Sequence, residues 1–214
     1  MELYTYFRSS AAYRVRIALN LKGLAYERSF VHLTRAGGEQ HAPEYLALNP
    51  QGLVPTLIDG GNVLTQSLAI IEYLEETHPE PPLFPREPVA RARVRAIAQL
   101  IACDIHPLDN LRVMNYLRNL GGFDQAVRQR WYCHWIAAGF TALERMLQHP
   151  ATGAYCHGDT PTLADVCLVP QVTNALRFKC PLAAFPTVRR VFDTCMALEP
   201  FRAAAPENQP DAEP

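Results

Sequence analysis

Ser9 and Ser10 stand in the run Phe7-Arg8-Ser9-Ser10-Ala11-Ala12-Tyr13-Arg14, where a strand-like segment gives way to a helical one. Backbone N–H groups and the positive end of the helix dipole point outward at such a start, so an anion is favoured there. Read alone, either serine is an N-cap. Read as chemistry, a hydroxyl at this place donates to a thiolate and lowers that thiol's pKa. The segment holds no cysteine, so the thiolate would arrive on a cofactor. A second constellation lies downstream. Asn49-Pro50-Gln51-Gly52 leads into Val54-Pro55, where a cis X-Pro bond would present the backbone of Val54 to a ligand. Gln66-Ser67 then opens another helix, with donors suited to a carboxylate. Taken singly, Pro55 is turn chemistry and Ser67 is a cap. Two helix starts on one small sheet, taken together, read as a ligand site.

The elements that must position these groups change character near residue 80. Before it, the spacing predicts a strand over Glu2–Tyr6, a helix over Ala11–Lys22 stopped by Gly23, and a strand over Tyr26–His32. A short helical stretch around Glu44–Ala47 follows. Thr56–Ile58 and Val63–Leu64 flank Asp59-Gly60-Gly61-Asn62 as a hairpin, and Ser67–Thr77 is helical. The order β-α-β-α-β-β-α suits a small mixed sheet with helices on its faces. Pro79, Pro81, Pro82, Pro85 and Pro88 make a stiff linker. Beyond it, Ala90–Leu120, Gln125–Leu147, Thr162–Phe178 and Thr187–Leu198 all carry helical periodicity, with Pro107 expected to kink or end the first. Thr162-Leu163-Ala164-Asp165 reads as a capping-box start. The fold class expected is therefore α/β plus all-α: a domain over 1–80, a linker over 81–88, and a helical domain over 89–214. Its Ala-, Pro- and acid-rich tail from Ala203 onward is expected to be loose.

Composition removes other classes. A globular chain of 214 residues can bury about 70 % of its surface, enough for packed cores without staples. Hydrophobic residues are 49 % and charged residues 19 %, which argues against disorder, and a net charge of −1 offers no global field for nucleic acid or anionic lipid. All the basic residues but Lys22 and Lys179 are arginines, whose planar forks suit carboxylates. No apolar run reaches the length that spans a bilayer and no basic leader precedes one, so no membrane partner and a cytoplasmic location are expected. The six cysteines are scattered without C-x-x-C pairs and read as reduced core thiols. Phosphate-loop, dinucleotide, nucleophile-elbow and H-E-x-x-H patterns are absent. Cys103-Asp104-Ile105-His106 lacks a second half, so no metal site is expected.

Tyr6-Phe7-Arg8-Ser9-Ser10, Arg14-Val15-Arg16-Ile17-Ala18-Leu19, Leu48-Asn49-Pro50-Gln51-Gly52, Val54-Pro55 and Gln66–Glu72 form a dense set with Gly158–Asp165, Leu168–Val172 and Gln209-Pro210-Asp211. The set resembles the zeta class of the glutathione transferases, its bacterial isomerases above all, nearly from end to end. That resemblance implies a thioredoxin-like domain holding glutathione, a helical domain completing the substrate pocket, and a homodimer. Matched position by position, it implies Ser9 and Ser10 at the glutathione sulfur, with Ala11 and Arg14 beside them. Gln40 and the backbone of Val54 would hold the cysteinyl–glycine part, and Gln66 with Ser67 the γ-glutamyl end. His106 and the Asn110, Leu111, Arg112 stretch fall at further glutathione-contacting positions. One departure matters: the family pattern often reads Ser-Ser-Cys with an aromatic after it, whereas Ala11, Ala12 and Tyr13 follow the serines here. A protein cysteine cannot be the nucleophile at that spot.

The activity so implied is glutathione-dependent cis–trans isomerisation of maleylacetoacetate to fumarylacetoacetate in tyrosine and phenylalanine breakdown. The alternatives are the same chemistry on maleylpyruvate from gentisate breakdown, a conjugating or dehalogenating transferase, or a binding module without turnover. The substrate is a small carboxylic acid. Arg8 and Arg177 are the arginines expected to pin its carboxylate and stabilise the developing enolate oxygen, with Arg112 a further candidate. Each of the three reads otherwise as a solvated surface arginine.

Overall fold

In the computed structural model, which describes residues 1–213, Glu2–Thr5 forms β1 with Leu3 and Thr5 turned inward. It pairs parallel with β2 (Glu27–Phe30) and antiparallel with β3 (Thr56–Asp59), Leu3 standing opposite Leu57. The Gly60-Gly61 turn returns the chain into β4 (Asn62–Thr65), giving the mixed order β2-β1-β3-β4. Helices α1 (Ser10–Leu21), α2 (Pro43–Leu48) and α3 (Ser67–Thr77) complete this part. Gly23, at φ +65°, takes the left-handed conformation that ends α1 at no steric cost. Both the element order and the mixed sheet follow the sequence reading closely.

Helix α1 carries two arginines on its buried face. Arg16 is fully buried, and its guanidinium donates to Ala204 O (3.0 Å), Thr5 Oγ1 (2.9 Å), Tyr6 O (3.2 Å) and Phe7 O (3.1 Å). Burial pushes its pKa down to about 10, so it stays charged at neutral pH, and its cost is offset by those acceptors. Lys22 is similarly satisfied by Glu75 (2.8 Å) and by the carbonyls of His78 and Pro81.

The expected boundary and tail need correction. The first compact unit is Met1–Leu83 together with the residues from Leu198 onward, and the second is Phe84–Ala197. The segment after Leu198 is not loose. It forms α10 (Glu199–Ala203) and a 3₁₀ turn over Pro206–Asn208, and it buries Phe201, Ala204 and Ala205. Tyr13 Oη donates to Phe201 O at 3.1 Å and Asn20 Nδ2 to Pro200 O at 3.1 Å. An Ala- and Pro-rich composition looks loose because it offers few apolar anchors of its own. Here polar side chains of α1 supply the anchors, nearly two hundred residues away in sequence.

The second unit is helical: α4 (Pro88–Gln99), a π-helical segment Leu100–Ile105, α5 (His106–Asp109), α6 (Leu111–Asn119), α7 (Gln125–Met146), α8 (Leu163–Arg177) and α9 (Pro186–Met196). Pro107 lacks an N–H and would crowd the carbonyl four residues earlier in a regular α-helix. The chain widens to a π turn just before it and breaks at Asn110, so the disturbance spreads to both sides of the proline. Asp165 accepts from Thr162 N, Thr162 Oγ1 and Cys156 N, each at 2.8 Å, which completes the capping box at α8. Full burial still raises the Asp165 pKa.

Two of the six cysteines are not reduced thiols. Cys133 of α7 and Cys180, three residues past α8, form a disulfide across a Cα–Cα distance of 5.2 Å, within bridging range. Cys103 is exposed, whereas Cys156, Cys167 and Cys195 are the buried free thiols expected. Spacing alone hid the pair, because 47 residues separate its members. Among the described residues, no helix is long and apolar enough to cross a membrane.

Candidate functional site

In the first unit, the turn between β1 and α1 places Ser9 as the N-cap, its Oγ accepting from Ala12 N at 3.2 Å. A hydroxyl that accepts through a lone pair keeps its own proton to donate. The cap and the thiolate donor are therefore compatible roles for one side chain. Ser10 is the first helical residue and is buried, while Ala11 beside it is half-buried. The first turn of α1 holds no acidic residue to answer the dipole. Arg8 is exposed, with its guanidinium 4.7 Å from the Phe7 ring centroid.

The Val54–Pro55 bond is cis, the isomer the sequence left open alongside a plain turn, and Val54 is buried. It belongs to a cluster with Tyr6, Phe7, Val31 and Tyr45, so the turn holding the serines and the turn holding Val54 share one packed floor. Tyr45 Oη donates to Leu53 O at 2.6 Å and Asn49 Nδ2 to the same carbonyl at 2.7 Å, which fixes the approach to Val54.

Gln66 has φ +68°, a left-handed conformation that a residue with a Cβ adopts only at a cost of roughly 1 kcal/mol or more. That geometry starts α3 at Ser67, with no side-chain cap on its first N–H groups and no acidic residue in its first turn. Gln66 Nε2 meets Gln51 Oε1 at 2.6 Å on the surface. Arg14 was expected beside the ligand, but it is only 2 % exposed, and its Nη1 donates to Ser67 Oγ at 3.2 Å. It lies behind the serine and does not form part of the surface. Gln40 is buried, with its Oε1 lacking a hydrogen-bond partner, and Nε2 reaches Leu33 O at 3.4 Å. A Cβ on neighbouring Gly38 would come within 2.5 Å of Gln40 Nε2, so that glycine, at φ +106°, lets the amide fold back over it. Uncapped N–H groups, an unpaired buried acceptor and a hydroxyl that keeps its donor proton together suit a thiol-bearing peptide ligand with a carboxylate.

The remaining residues lie in the second unit. Half-buried His106 opens α5, and Asn110 caps α6, its Oδ1 accepting from Val113 N at 3.1 Å. Leu111 and Arg112 follow, both exposed. Behind them Asp109 is buried and accepts from Gln171 Nε2 at 2.7 Å, which ties this stretch to α8. Arg177 ends α8, exposed, 4.7 Å from the Phe178 ring centroid. Phe178 stacks on Tyr132 of α7 with centroids 3.8 Å apart. Burial, and then the Asp109 carboxylate, push the Tyr132 pKa well up, so its hydroxyl stays neutral, while the Arg177 charge pulls the other way. Tyr132 thus feels both the Asp109 and the Arg177 charges. Asp109 and Tyr132 were not singled out from the sequence. A lone Asp or Tyr in a helical run carries no signal until its partners are known.

The glutathione S-transferase N-terminal domain model matches residues 3–82 and the C-terminal domain model matches residues 136–199. The chain is 55 % identical to a probable maleylacetoacetate isomerase of Vibrio cholerae, over 98 % of this chain and 97 % of the relative. It is 50 % identical to a maleylpyruvate isomerase of a Ralstonia species, over 99 % and 100 %. Among solved structures it matches a bacterial maleylpyruvate isomerase of the zeta class at a TM-score of 0.97 and 50 % identity, with all of both chains covered. It also matches a maleylacetoacetate isomerase of Anaeromyxobacter dehalogenans with bound glutathione, at a TM-score of 0.87 and 45 % identity, over 99 % and 97 %. A match of this extent in sequence and in fold leaves one assignment: this chain belongs to the glutathione S-transferase family, in its zeta class.

Proposed function

We propose that this protein is a glutathione-dependent cis–trans isomerase acting on maleylacetoacetate. One observation carries the reading: two helix starts on one sheet, at Ser9-Ser10 and Gln66-Ser67, hold no acidic residue in their first turns and flank the cis-Pro turn at Val54. Glutathione supplies a thiol whose thiolate adds to a conjugated cis alkene and leaves again once the bond has turned. The Ser9 and Ser10 hydroxyls, with the α1 dipole, favour the thiolate over the thiol. Gln40 and Val54 orient the peptide part, and the uncapped N–H groups of α3 with Ser67 hold the γ-glutamyl carboxylate. Arg14 supports Ser67 from behind. His106, Asn110, Leu111 and Arg112 are proposed as further ligand-binding positions. Arg177 binds the substrate carboxylate, and Arg8 and Arg112 are the other arginines available to carboxylate or enolate oxygen.

The relatives' names support this chemistry, since both maleylacetoacetate and maleylpyruvate isomerases align along the whole chain. A related structure holds dicarboxyethyl glutathione and citrate in its active site, which is consistent with thiol addition to a dicarboxylate. Maleylpyruvate is the second reading, favoured by the 0.97 TM-score to the zeta-class maleylpyruvate isomerase. On the class resemblance the protein is proposed to act as a homodimer, in the cytoplasm, where a glutathione pool is at hand.

Purified protein given either maleyl acid with substoichiometric glutathione tests the proposal. Many turnovers per glutathione are expected, with the higher kcat/KM on maleylacetoacetate. Product formation that stops at one equivalent of glutathione sinks the isomerase reading, and a higher kcat/KM on maleylpyruvate selects the second one.

A further inference from the structure

The motif Gln209-Pro210-Asp211 takes no part in the chemistry above, yet the structure brings it against the glutathione cradle. Asp211 Oδ2 accepts from Phe7 N at 2.9 Å. Phe7 O, on the same residue, accepts from Arg16 Nη2 at 3.1 Å, and Tyr6 O from Arg16 Nη1 at 3.2 Å. The backbone that delivers Arg8-Ser9-Ser10 is thus held on its donor side by Asp211 and on its acceptor side by Arg16. Arg16 in turn binds Ala204 O at 3.0 Å, so the incoming segment and the turn hang on one buried guanidinium. Ala212 packs against the cluster of Tyr6, Phe7, Val31, Tyr45 and Val54. Glu213 pairs with Arg35, and its carboxylate lies 3.4 Å from His32 Nε2, in the loop that leads to Gln40. Gln209 anchors the start, donating to Ala203 O at 2.8 Å and Ala205 O at 3.0 Å.

We propose that Gln209–Glu213 is a strap that sets the geometry of the glutathione site, with Asp211 its principal positioning residue. Three consecutive residues reach three separate parts of the cradle: Asp211 the serine turn, Ala212 the cluster that includes Val54, and Glu213 the loop before Gln40. The ladder of β1 ends at Thr5, so it does not by itself hold the turn. A turn free to shift by part of an ångström would misaim the Ser9 hydroxyl, whose effect on a thiolate depends on hydrogen-bond distance. The inference rests on the glutathione reading for its consequence but not for its geometry.

The test compares Asp211→Asn, which keeps an acceptor for Phe7 N, with Asp211→Leu, which removes it, and adds Glu213→Gln at a partly exposed position whose folding is not at risk. Amide exchange of Phe7 in the ligand-free protein is read first. It is expected to accelerate about 10-fold or more in Asp211→Leu and to stay near wild type in Asp211→Asn. Glutathione affinity by calorimetry is expected to fall about 5-fold in Asp211→Leu and about 3-fold in Glu213→Gln, losses typical of one hydrogen bond or ion pair. The thiol of bound glutathione, followed by its ultraviolet absorbance, is expected to titrate at higher pH in Asp211→Leu only. Unchanged Phe7 exchange and glutathione affinity in Asp211→Leu, with only a lower Tm, overturn the proposal. If Asp211→Leu fails to fold, unchanged glutathione affinity in Glu213→Gln overturns it instead. A wild-type protein that does not bind glutathione at all would refute the cofactor reading and leave the exchange result to judge the strap.

Discussion

Arg14 and Ser67 are 53 residues apart in sequence, and Arg14 Nη1 donates to Ser67 Oγ across 3.2 Å. One helix therefore supplies the charge that stands behind the start of another. The Arg14 guanidinium adds positive potential at the end of α3 where the dipole is already positive, and a carboxylate is the natural complement.

Replacing that charge gives the first prediction. Arg14→Met, similar in length and apolar, is expected to weaken glutathione binding about 10-fold, the scale of a lost charged hydrogen bond. Arg14→Lys is expected to recover part of the loss, since the charge remains and the fork does not. Calorimetric titration with glutathione, beside a glutathione analogue lacking the γ-glutamyl carboxylate, checks this. Equal losses for both ligands would assign Arg14 to fold stability alone.

Removing the hydroxyls addresses thiol activation. Ser9→Ala and Ser10→Ala together are expected to raise the pKa of the bound thiol. Because the thiolate is the reactive form, the rate then rises through a more alkaline pH range. At neutral pH kcat falls, and activity recovers in part as pH increases. Ser9→Ala alone also loses the cap on Ala12 N, at a cost of about 1 kcal/mol in stability. A pH–rate profile with no shift in the double variant would leave the serines as caps and the α1 dipole as the sole activator.

Substrate recognition is tested at Arg177. Arg177→Ala is expected to lower kcat/KM by about 100-fold, with Arg177→Lys recovering only part of it. Glutathione affinity is expected to be unchanged, because Arg177 is not among the positions proposed to hold glutathione. Steady-state kinetics on both maleyl acids, paired with calorimetry, separate the two effects. Near-full activity in Arg177→Ala would move the role to Arg8.

Much of the molecule was legible in the sequence because its signals are local. Period-2 and period-3.6 patterning, the Gly60-Gly61 turn and the Thr162–Asp165 cap each act within a few residues, so β1 to β4, α3 and α8 could be read directly. The serine turn, Val54-Pro55 and Gln66-Ser67 were legible for the same reason: helix starts and X-Pro turns have signatures in adjacent residues. Tertiary structure decided what depends on partners far along the chain. Arg14 turned out to be a support behind Ser67, because its neighbour is set by the packing of α1 on α3. Cys133 and Cys180 pair only once α7 lies beside the end of α8. The Ala- and Pro-rich segment is ordered over Pro200, Phe201 and Ala204 because Tyr13, Arg16 and Asn20 of α1 donate to its carbonyls. Local rules specify which backbone groups an element exposes, and only the folded chain determines which distant side chain meets them.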